Sequence, residues 1–157
     1  MILPETARHP APTSSRPPLV LCVDDETRTL SALQRTLRRE PYELVVTESP
    51  QEALVWVETR DVSLVVTDQR MPEMSGSSLI TEIQQRSPGT LFVMLTAYPA
   101  SVSSDDPGWM NVAELLLKPW DDRQLRRVIR NLLEEVEHGL GEDGYEHPDV
   151  GGDGGAA

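Results

Sequence analysis

Lysine and cysteine are scarce in this 157-residue chain, which contains one residue of each, Lys118 and Cys22. A single cysteine excludes an intrachain disulfide, and because Cys22 lies in an apolar run we expect a buried thiol in a reducing interior. No run approaches the ~18 apolar residues of a membrane span. The N-terminus also lacks the basic and apolar segments of a signal peptide. We therefore expect a cytoplasmic protein without a membrane span.

Basic residues are outnumbered by acidic ones. The chain has 14 Lys and Arg residues against 26 Asp and Glu residues, which gives a formal net charge of −12. Proteins that bind phosphate backbones concentrate Lys and Arg on one surface. The charge balance therefore argues against a nucleic-acid partner.

Two segments of biased composition flank the region that we expect to fold. Residues 1–18 are rich in proline, whereas residues 139–157 are rich in glycine and acidic residues and contain no Lys or Arg. Neither segment has enough apolar surface to offset the entropy of ordering, so we expect both to be disordered. The sequence predicts one folded domain over residues 19–138.

Between these segments, short apolar runs alternate with stretches whose apolar residues follow helical spacing. The predicted strands are Leu19–Val23, Leu44–Val46, Val62–Val66, Leu91–Leu95 and Leu115–Leu117. The alternation predicts an α/β fold with a doubly wound, five-stranded parallel sheet flanked by helices. The interval from Pro99 to Asn111 is rich in Ser, Asp, Pro and Gly. We expect a short, displaced or irregular fourth helix there.

The last predicted helix carries signals at both ends. Asp121 is the expected N-cap, with Gln124 at the third helical position. Trp120 is placed to pack on Leu125 across the cap, as a hydrophobic staple. Gly139 is placed to end the helix.

Functional groups in open α/β sheets gather at the carboxyl ends of the strands. The groups at the predicted strand ends are Asp24, Asp25, Asp68, Thr96 and Lys118. Neighbouring carboxylates repel one another unless a cation lies between them, and oxygen ligands suit Mg²⁺. Mg²⁺ is therefore the ion that we expect among these strand-end carboxylates.

The same groups fit phosphoryl chemistry. A carboxylate can attack a phosphoryl group and form an acyl phosphate, and Asp68 is the expected nucleophile. Asp25 and Asp68 would bind the metal, with Asp24 close by. The phosphoryl oxygens need neutralising, and Lys118 and Thr96 supply an ammonium and a hydroxyl for this.

Four motifs carry a family resemblance. They are Val-Asp-Asp-Glu (23–26), Thr-Asp-Gln-Arg-Met-Pro-Glu-Met-Ser-Gly (67–76), Met-Leu-Thr-Ala-Tyr (94–98) and Leu-Lys-Pro-Trp (117–120). Together they resemble the response-regulator receiver domain of two-component signalling, which has a flavodoxin-like fold, here of the single-domain type. The resemblance covers roughly residues 19–138.

The resemblance implies a phosphoacceptor and a metal site. Asp68 would accept a phosphoryl group from a sensor histidine kinase or a phosphotransfer protein. The resemblance assigns Mg²⁺ to Asp24, Asp25, Asp68 and the backbone carbonyl of Arg70. It also places Arg70 and Tyr98 at positions that tune how long the phosphoryl group persists.

The resemblance also assigns a switch. Thr96 would move toward the phosphoryl group, and Lys118 would bridge to it, with a cis peptide bond before Pro119. Ala97 is small and leaves the approach to Asp68 open. The chain departs from the family at Leu115, where such domains usually carry the aromatic residue of the switch.

We weigh three functions. The first is a phosphoacceptor switch rather than an enzyme, with weak self-phosphorylation from small phosphodonors and slow autodephosphorylation. We expect no DNA-binding or catalytic segment after Gly139, so output would be phosphorylation-dependent binding to an unknown protein or onward phosphotransfer. A degenerate receiver acting as a scaffold is the second, and Leu115 keeps it open. The third is a phosphohydrolase with an Asp nucleophile, which Arg70 argues against because such enzymes place an acid two residues after the nucleophile.

Overall fold

The computed structural model of the chain describes residues 16–103 and 105–137. Its strands are β1 (Leu19–Val23), β2 (Glu43–Thr47), β3 (Leu64–Thr67), β4 (Leu91–Thr96) and β5 (Val112–Leu117). Its α-helices are α1 (Thr27–Leu37), α2 (Pro50–Thr59), α3 (Gly76–Arg86) and α4 (Asp122–Glu137). None of the helices in these described ranges is long and apolar enough to cross a bilayer. The segments predicted to be disordered fall almost entirely outside the described residues.

The strands form one sheet in the order β2-β1-β3-β4-β5, and every neighbouring pair is parallel. The chain adds β2 on one side of β1 and then crosses to add β3 on the other. The strand order therefore reverses at β1, and the carboxyl ends of β1 and β3 lie side by side where ligands bind in such sheets. The predicted doubly wound, five-stranded parallel sheet is confirmed.

The sheet separates two cores, each covered by a pair of helices. In β1, Leu19, Leu21 and Val23 pack on the side of α2 and α3. Val20 and Cys22 pack on the side of α1 and α4. All five residues of β1 are buried, which is why this strand is an uninterrupted apolar run in the sequence.

Two predicted strand starts are wrong by two residues or more. Val62 is buried but precedes β3, which begins at Leu64. Strand β5 begins at Val112 rather than Leu115. The prediction missed its first three residues because Glu114, which is exposed, interrupts the apolar pattern. An exposed glutamate is compatible with an edge strand, and β5 lies at the edge of the sheet.

The connection from β4 to β5, residues 97–111, is called the fourth crossover below. Its described residues, 97–103 and 105–111, form two 3₁₀-helices, Pro99–Ser101 and Pro107–Asn111, and no α-helix. Each begins at a proline, whose fixed φ suits the first helical position. Asp106 caps the second one, since its Oδ1 atom accepts a hydrogen bond from the Gly108 N–H (3.0 Å). The sequence predicted this irregularity from the same turn-forming residues.

The start of α4 follows the predicted capping pattern. The Asp121 carboxylate accepts a hydrogen bond from the Gln124 N–H (2.9 Å). Trp120 packs against the core cluster that contains Leu125. The predicted stop at Gly139 lies outside the described residues.

Candidate functional site

Four strand ends surround a cleft of about 710 Å³, called the rim cleft below. Asp25 follows β1, Asp68 follows β3, Ala97 follows β4 and Lys118 follows β5. All four residues line the cleft. The parallel sheet therefore brings together side chains that lie as far as 93 positions apart in the sequence.

Three carboxylates and one ammonium form the centre of this site. One carboxylate oxygen from each of Asp24, Asp25 and Asp68 lies within 4.8 Å of the others. The Lys118 Nζ atom donates to Asp24 Oδ2 (2.7 Å) and to Asp68 Oδ2 (3.1 Å). Asp24 and Asp68 are 2% and 7% exposed, whereas Asp25 is open to solvent. The lysine thus bridges the two buried carboxylates and leaves Asp25 facing the cleft.

Burial and pairing oppose each other in this cluster. Burial raises the pKa of Asp24, and the hydrogen bonds from Lys118 and from the Glu26 N–H only partly offset it. Burial lowers the pKa of Lys118, but its hydrogen bond to Asp24 and the charges of Asp24 and Asp68 outweigh that effect, so the pKa lies above its usual value. Lys118 is therefore a firmly charged ammonium whose positive charge is aimed at Asp68.

The backbone around Asp68 is tightly held. Its Oδ1 atom accepts a hydrogen bond from the Gln69 N–H (2.7 Å). A Cβ atom at Gly76 would lie 2.1 Å from the Asp68 carbonyl oxygen, so glycine is required for α3 to begin this close to the loop. The peptide bond between Lys118 and Pro119 is cis, as predicted.

The donor set fits a hard divalent cation. Carboxylate oxygens at this mutual spacing are the ligands that Mg²⁺ takes in proteins, usually with water completing its shell. The exposure of Asp25 leaves one of the three oxygens accessible from the cleft. The residues present are therefore compatible with Mg²⁺.

Comparison with known proteins identifies the fold family. The sequence matches the family model of the response regulator receiver domain over residues 20–130. The chain belongs to this family. It is a receiver domain of the kind found in two-component response regulators.

Curated relatives are larger than this receiver domain. The transcriptional regulatory protein GlrR of Escherichia coli K12 is 37% identical over 125 residues, which is 78% of this chain and 28% of GlrR. The hydrogenase transcriptional regulatory protein HoxA of Cupriavidus necator is 33% identical over 77% of this chain and 25% of its own length. The chain thus spans about a quarter of the length of the curated relatives it matches.

Solved structures share the receiver fold along nearly their whole length. The signal receiver domain of an HD domain-containing protein from Pseudomonas fluorescens Pf-5 has a TM-score of 0.73 and 32% identity, with 85% of this chain and 98% of that one covered. The response regulator TrrA of Thermotoga maritima, in complex with Mg²⁺-BeF, has a TM-score of 0.66 and 28% identity, with 73% and 98% covered.

The remaining predicted site residues of the receiver domain occupy different places around the cleft. Thr96 is fully buried, and its hydroxyl accepts a hydrogen bond from the Tyr98 N–H (3.1 Å). Ala97 is exposed at the cleft wall. The Arg70 guanidinium stacks over the Tyr98 ring at 4.4 Å from its centroid, so these two residues form a pair at the cleft. Leu115 is half-buried against the core on the side of α2 and α3.

Two features of the site were missed by sequence reasoning. Glu26 lines the cleft, and its carboxylate lies 4.0 Å from the Lys118 Nζ atom. Gln69 is buried and hydrogen-bonded to Ser77. The position of Gln69 directly after Asp68 is the signal that could have identified it. No local pattern in the sequence indicates a partner eight residues away.

Proposed function

We propose that this receiver domain accepts a phosphoryl group on Asp68 from a phosphohistidine of a sensor kinase or phosphotransfer protein, in the cytoplasm. The observation that carries the proposal is the position of Lys118, which binds Asp24 and Asp68 at once beside the open carboxylate of Asp25. An ammonium in this position neutralises charge where the phosphoryl oxygens would arrive.

The transfer forms one bond and breaks one bond. A carboxylate oxygen of Asp68 attacks phosphorus, the P–N bond of the phosphohistidine breaks, and the imidazole leaves with the electron pair. Asp24, Asp25, Asp68 and the Arg70 carbonyl would hold Mg²⁺, which supplies charge neutralisation for the phosphoryl oxygens. Lys118 remains protonated throughout and orients the acyl phosphate.

Residues around Asp68 would set access and lifetime. Ala97 leaves the approach from the cleft open, and Thr96 would donate its hydroxyl to a phosphoryl oxygen. The stacked Arg70 and Tyr98 side chains lie at the cleft, where their bulk limits the access of water to the acyl phosphate. We assign them to tuning the phosphoryl lifetime.

Output would proceed by phosphorylation-dependent protein binding or by onward phosphotransfer. The Pseudomonas fluorescens neighbour is the receiver of an HD domain-containing protein, and GlrR and HoxA are transcriptional regulators. Receiver domains therefore serve different outputs.

Incubation with Mg²⁺ and acetyl phosphate tests the proposal. The intact mass should rise by one phosphoryl group, and Asp68→Asn should abolish the rise. Asp61→Asn is the matched control, because Asp61 is exposed before β3 and away from the cleft. No adduct together with phosphate release at many turnovers would favour a phosphohydrolase instead.

A scaffold is the second candidate, and Leu115 at the position of the usual aromatic residue is the observation in its favour. A scaffold that works without phosphorylation predicts neither an adduct nor Mg²⁺ binding. Titration calorimetry with Mg²⁺, comparing the wild type with Asp25→Asn, separates the two candidates. Binding by the wild type that is weakened in Asp25→Asn supports the phosphoacceptor.

A further inference from the structure

Gln69, directly after Asp68, is a buried glutamine with hydrogen bonds at both ends of its amide. Gln69 is only 5% exposed. Its Oε1 atom accepts from the Ser77 N–H (2.8 Å). Its Nε2 atom donates to Ser77 Oγ (3.1 Å) and to the Ser101 carbonyl oxygen (3.4 Å). A buried amide with partners at both ends holds the bonded segments in a fixed relation.

The hydrogen bonds continue from Ser77 into the fourth crossover. The Ser77 hydroxyl donates to Asp106 Oδ2 (2.5 Å). Asp106 in turn caps the second 3₁₀-helix through the Gly108 N–H. An unbroken series of polar contacts therefore runs from the residue next to Asp68, through the start of α3, to the segment that replaces the fourth helix.

Two glycines place the same three segments in direct backbone contact. A Cβ atom at Gly76 would lie 2.1 Å from the Asp68 carbonyl oxygen, and one at Gly108 would lie 2.0 Å from the Ser77 carbonyl oxygen. The loop after β3, the start of α3 and the second 3₁₀-helix are thus stacked without side chains between them. A small shift of the first segment displaces the other two, because close-packed backbone has no slack to absorb it.

We propose that Gln69 is a positioning residue that couples the phosphorylation state of Asp68 to the fourth crossover, an inference that rests on the function proposed above. The Gln69 N–H donates to Asp68 Oδ1, so conversion of that carboxylate to an acyl phosphate changes the acceptor that holds the Gln69 backbone. The side-chain amide passes this change to Ser77 and Asp106.

The fourth crossover is suited to respond. Its two 3₁₀-helices span three and five residues, and such short turns have weaker hydrogen-bond geometry than an α-helix. Many of its side chains between residues 97 and 106 are exposed, which is typical of segments that reorganise at low cost. Because Leu115 replaces the usual aromatic switch residue, a route through Gln69 provides coupling that does not depend on a ring rotation.

Trp109 is a built-in reporter of this coupling. It lies in the second 3₁₀-helix and is 8% exposed. In the full chain carrying Trp56→Phe and Trp120→Phe, Trp109 is the remaining tryptophan. Its fluorescence is measured before and after addition of acetyl phosphate and Mg²⁺, and phosphoryl occupancy is measured by intact mass in the same samples. The quantity compared is the fluorescence change per bound phosphoryl group.

The Trp109-only protein should change its emission on phosphorylation. Gln69→Leu should lose most of the change per phosphoryl group, and Ser77→Ala, which removes the hydroxyl but keeps the Ser77 N–H, should lose part of it. Gln34→Leu, at an exposed glutamine of α1, should retain it. A merely structural role for Gln69 would lower the melting temperature but leave the per-phosphoryl change intact in Ser77→Ala.

The outcomes separate the two proposals. Absence of a phosphoryl adduct in the wild type would overturn the proposed function and the coupling with it. An adduct without any Trp109 response, or with an undiminished response in Ser77→Ala, would overturn the coupling alone. If Gln69→Leu does not fold, Ser77→Ala decides.

Discussion

At the scale of single residues, Lys118 has two roles that can be separated experimentally. It is the ammonium of the proposed reaction, and it also forms ion pairs with two buried carboxylates in the resting domain. Removing one partner of a buried ion pair leaves an uncompensated charge, which is more costly than the loss of an exposed pair. The resting stability therefore depends on the same residue as the chemistry.

Lys118→Met should lower the free energy of unfolding by about 2–4 kcal/mol in metal-free buffer. Added Mg²⁺ should restore stability more in this variant than in the wild type, because the cation replaces the lost positive charge. Urea denaturation with and without Mg²⁺ measures both effects. Arg127→Met, at an exposed position of α4, is the control and should stay within about 0.5 kcal/mol. Equal stability of Lys118→Met and wild type would contradict this account of the site.

Tyr42 illustrates a different residue-scale effect. It is 8% exposed, and its hydroxyl is the one buried side-chain polar atom among the described residues that lacks a hydrogen-bond partner. Burial and the negative charge of Glu40 raise the pKa of this phenol, and Arg130 and Arg126 partly counteract them. The hydroxyl thus costs desolvation without a compensating bond.

Tyr42→Phe should raise the free energy of unfolding by about 1 kcal/mol near pH 7, since it removes an unsatisfied hydroxyl and keeps the ring. The folded pKa lies above the unfolded one, so the wild type keeps its proton in the folded state while the unfolded chain loses one. Wild-type stability should consequently fall above about pH 10 by up to about 1.4 kcal/mol per pH unit more than that of Tyr42→Phe. If the free energies of unfolding of the two proteins change equally with pH from pH 8 to 11, this prediction is wrong.

At the residue scale, the convergence of side chains that follow buried strands could be predicted. Asp24, Asp68 and Lys118 each follow an apolar run, and the parallel topology alone brings such positions together. The connection of Gln69 to Asp106 through Ser77 could not be predicted, because it joins loops whose relative position depends on how α3 begins. The missing hydrogen bond of the Tyr42 hydroxyl could not be predicted either, since a buried tyrosine hydroxyl usually has a partner.

At the scale of elements, the fourth crossover determines what is unusual about this domain. The turn-forming residues between Pro99 and Asn111 predicted irregular structure but not its form. Its form depends on Gly108, which lets the second 3₁₀-helix approach the start of α3. Tertiary contact, rather than local propensity, decides the path of this segment, as it does for the early start of β5.

Gly108→Ala should destabilise the domain by more than about 2 kcal/mol, because its Cβ atom would overlap the Ser77 carbonyl oxygen and the backbone must shift. Gly89→Ala is the matched control: a Cβ atom there meets nothing within 4 Å, so a small gain of about 0.4–1 kcal/mol is expected. Thermal and urea unfolding of both variants measure the difference. Similar effects of the two substitutions would mean that α3 and the crossover are not in close contact.

At the scale of the whole molecule, one sheet supplies side chains to both cores. Residues of β1 alternate between the two clusters, and the same holds for β3 and β4. Loss of either helical layer exposes the sheet and removes the support of the other. The two cores should therefore unfold together.

Single-tryptophan variants test this cooperativity. Trp109 lies in the core on the side of α2 and α3, and Trp120 packs against the core on the side of α1 and α4. For each single-tryptophan variant, the urea transition followed by fluorescence should have the same midpoint and slope as the transition followed by circular dichroism. A difference between the fluorescence and circular dichroism midpoints of either variant would indicate independently unfolding layers.

The sequence predicted the architecture of this molecule well because its central strands are fully buried apolar runs and its helices are amphipathic. It also predicted domain limits at residues 19 and 138, and this remains a prediction for the segments beyond the described residues. The outer strand β5 was predicted less well, since Glu114 breaks the pattern that marks the inner strands.

The thiol of Cys22 can be used to measure how often the native protein opens locally. It is fully buried beneath α1 and α4, and burial, together with the charge of Asp24, raises the pKa of its thiol to about 12. A thiol reagent therefore reacts with this chain when the α1–α4 layer lifts from the sheet, and the rate of modification counts those events. Since the chain has no other cysteine, a fluorescent label placed on an added surface cysteine would report from one position while the native thiol stays silent.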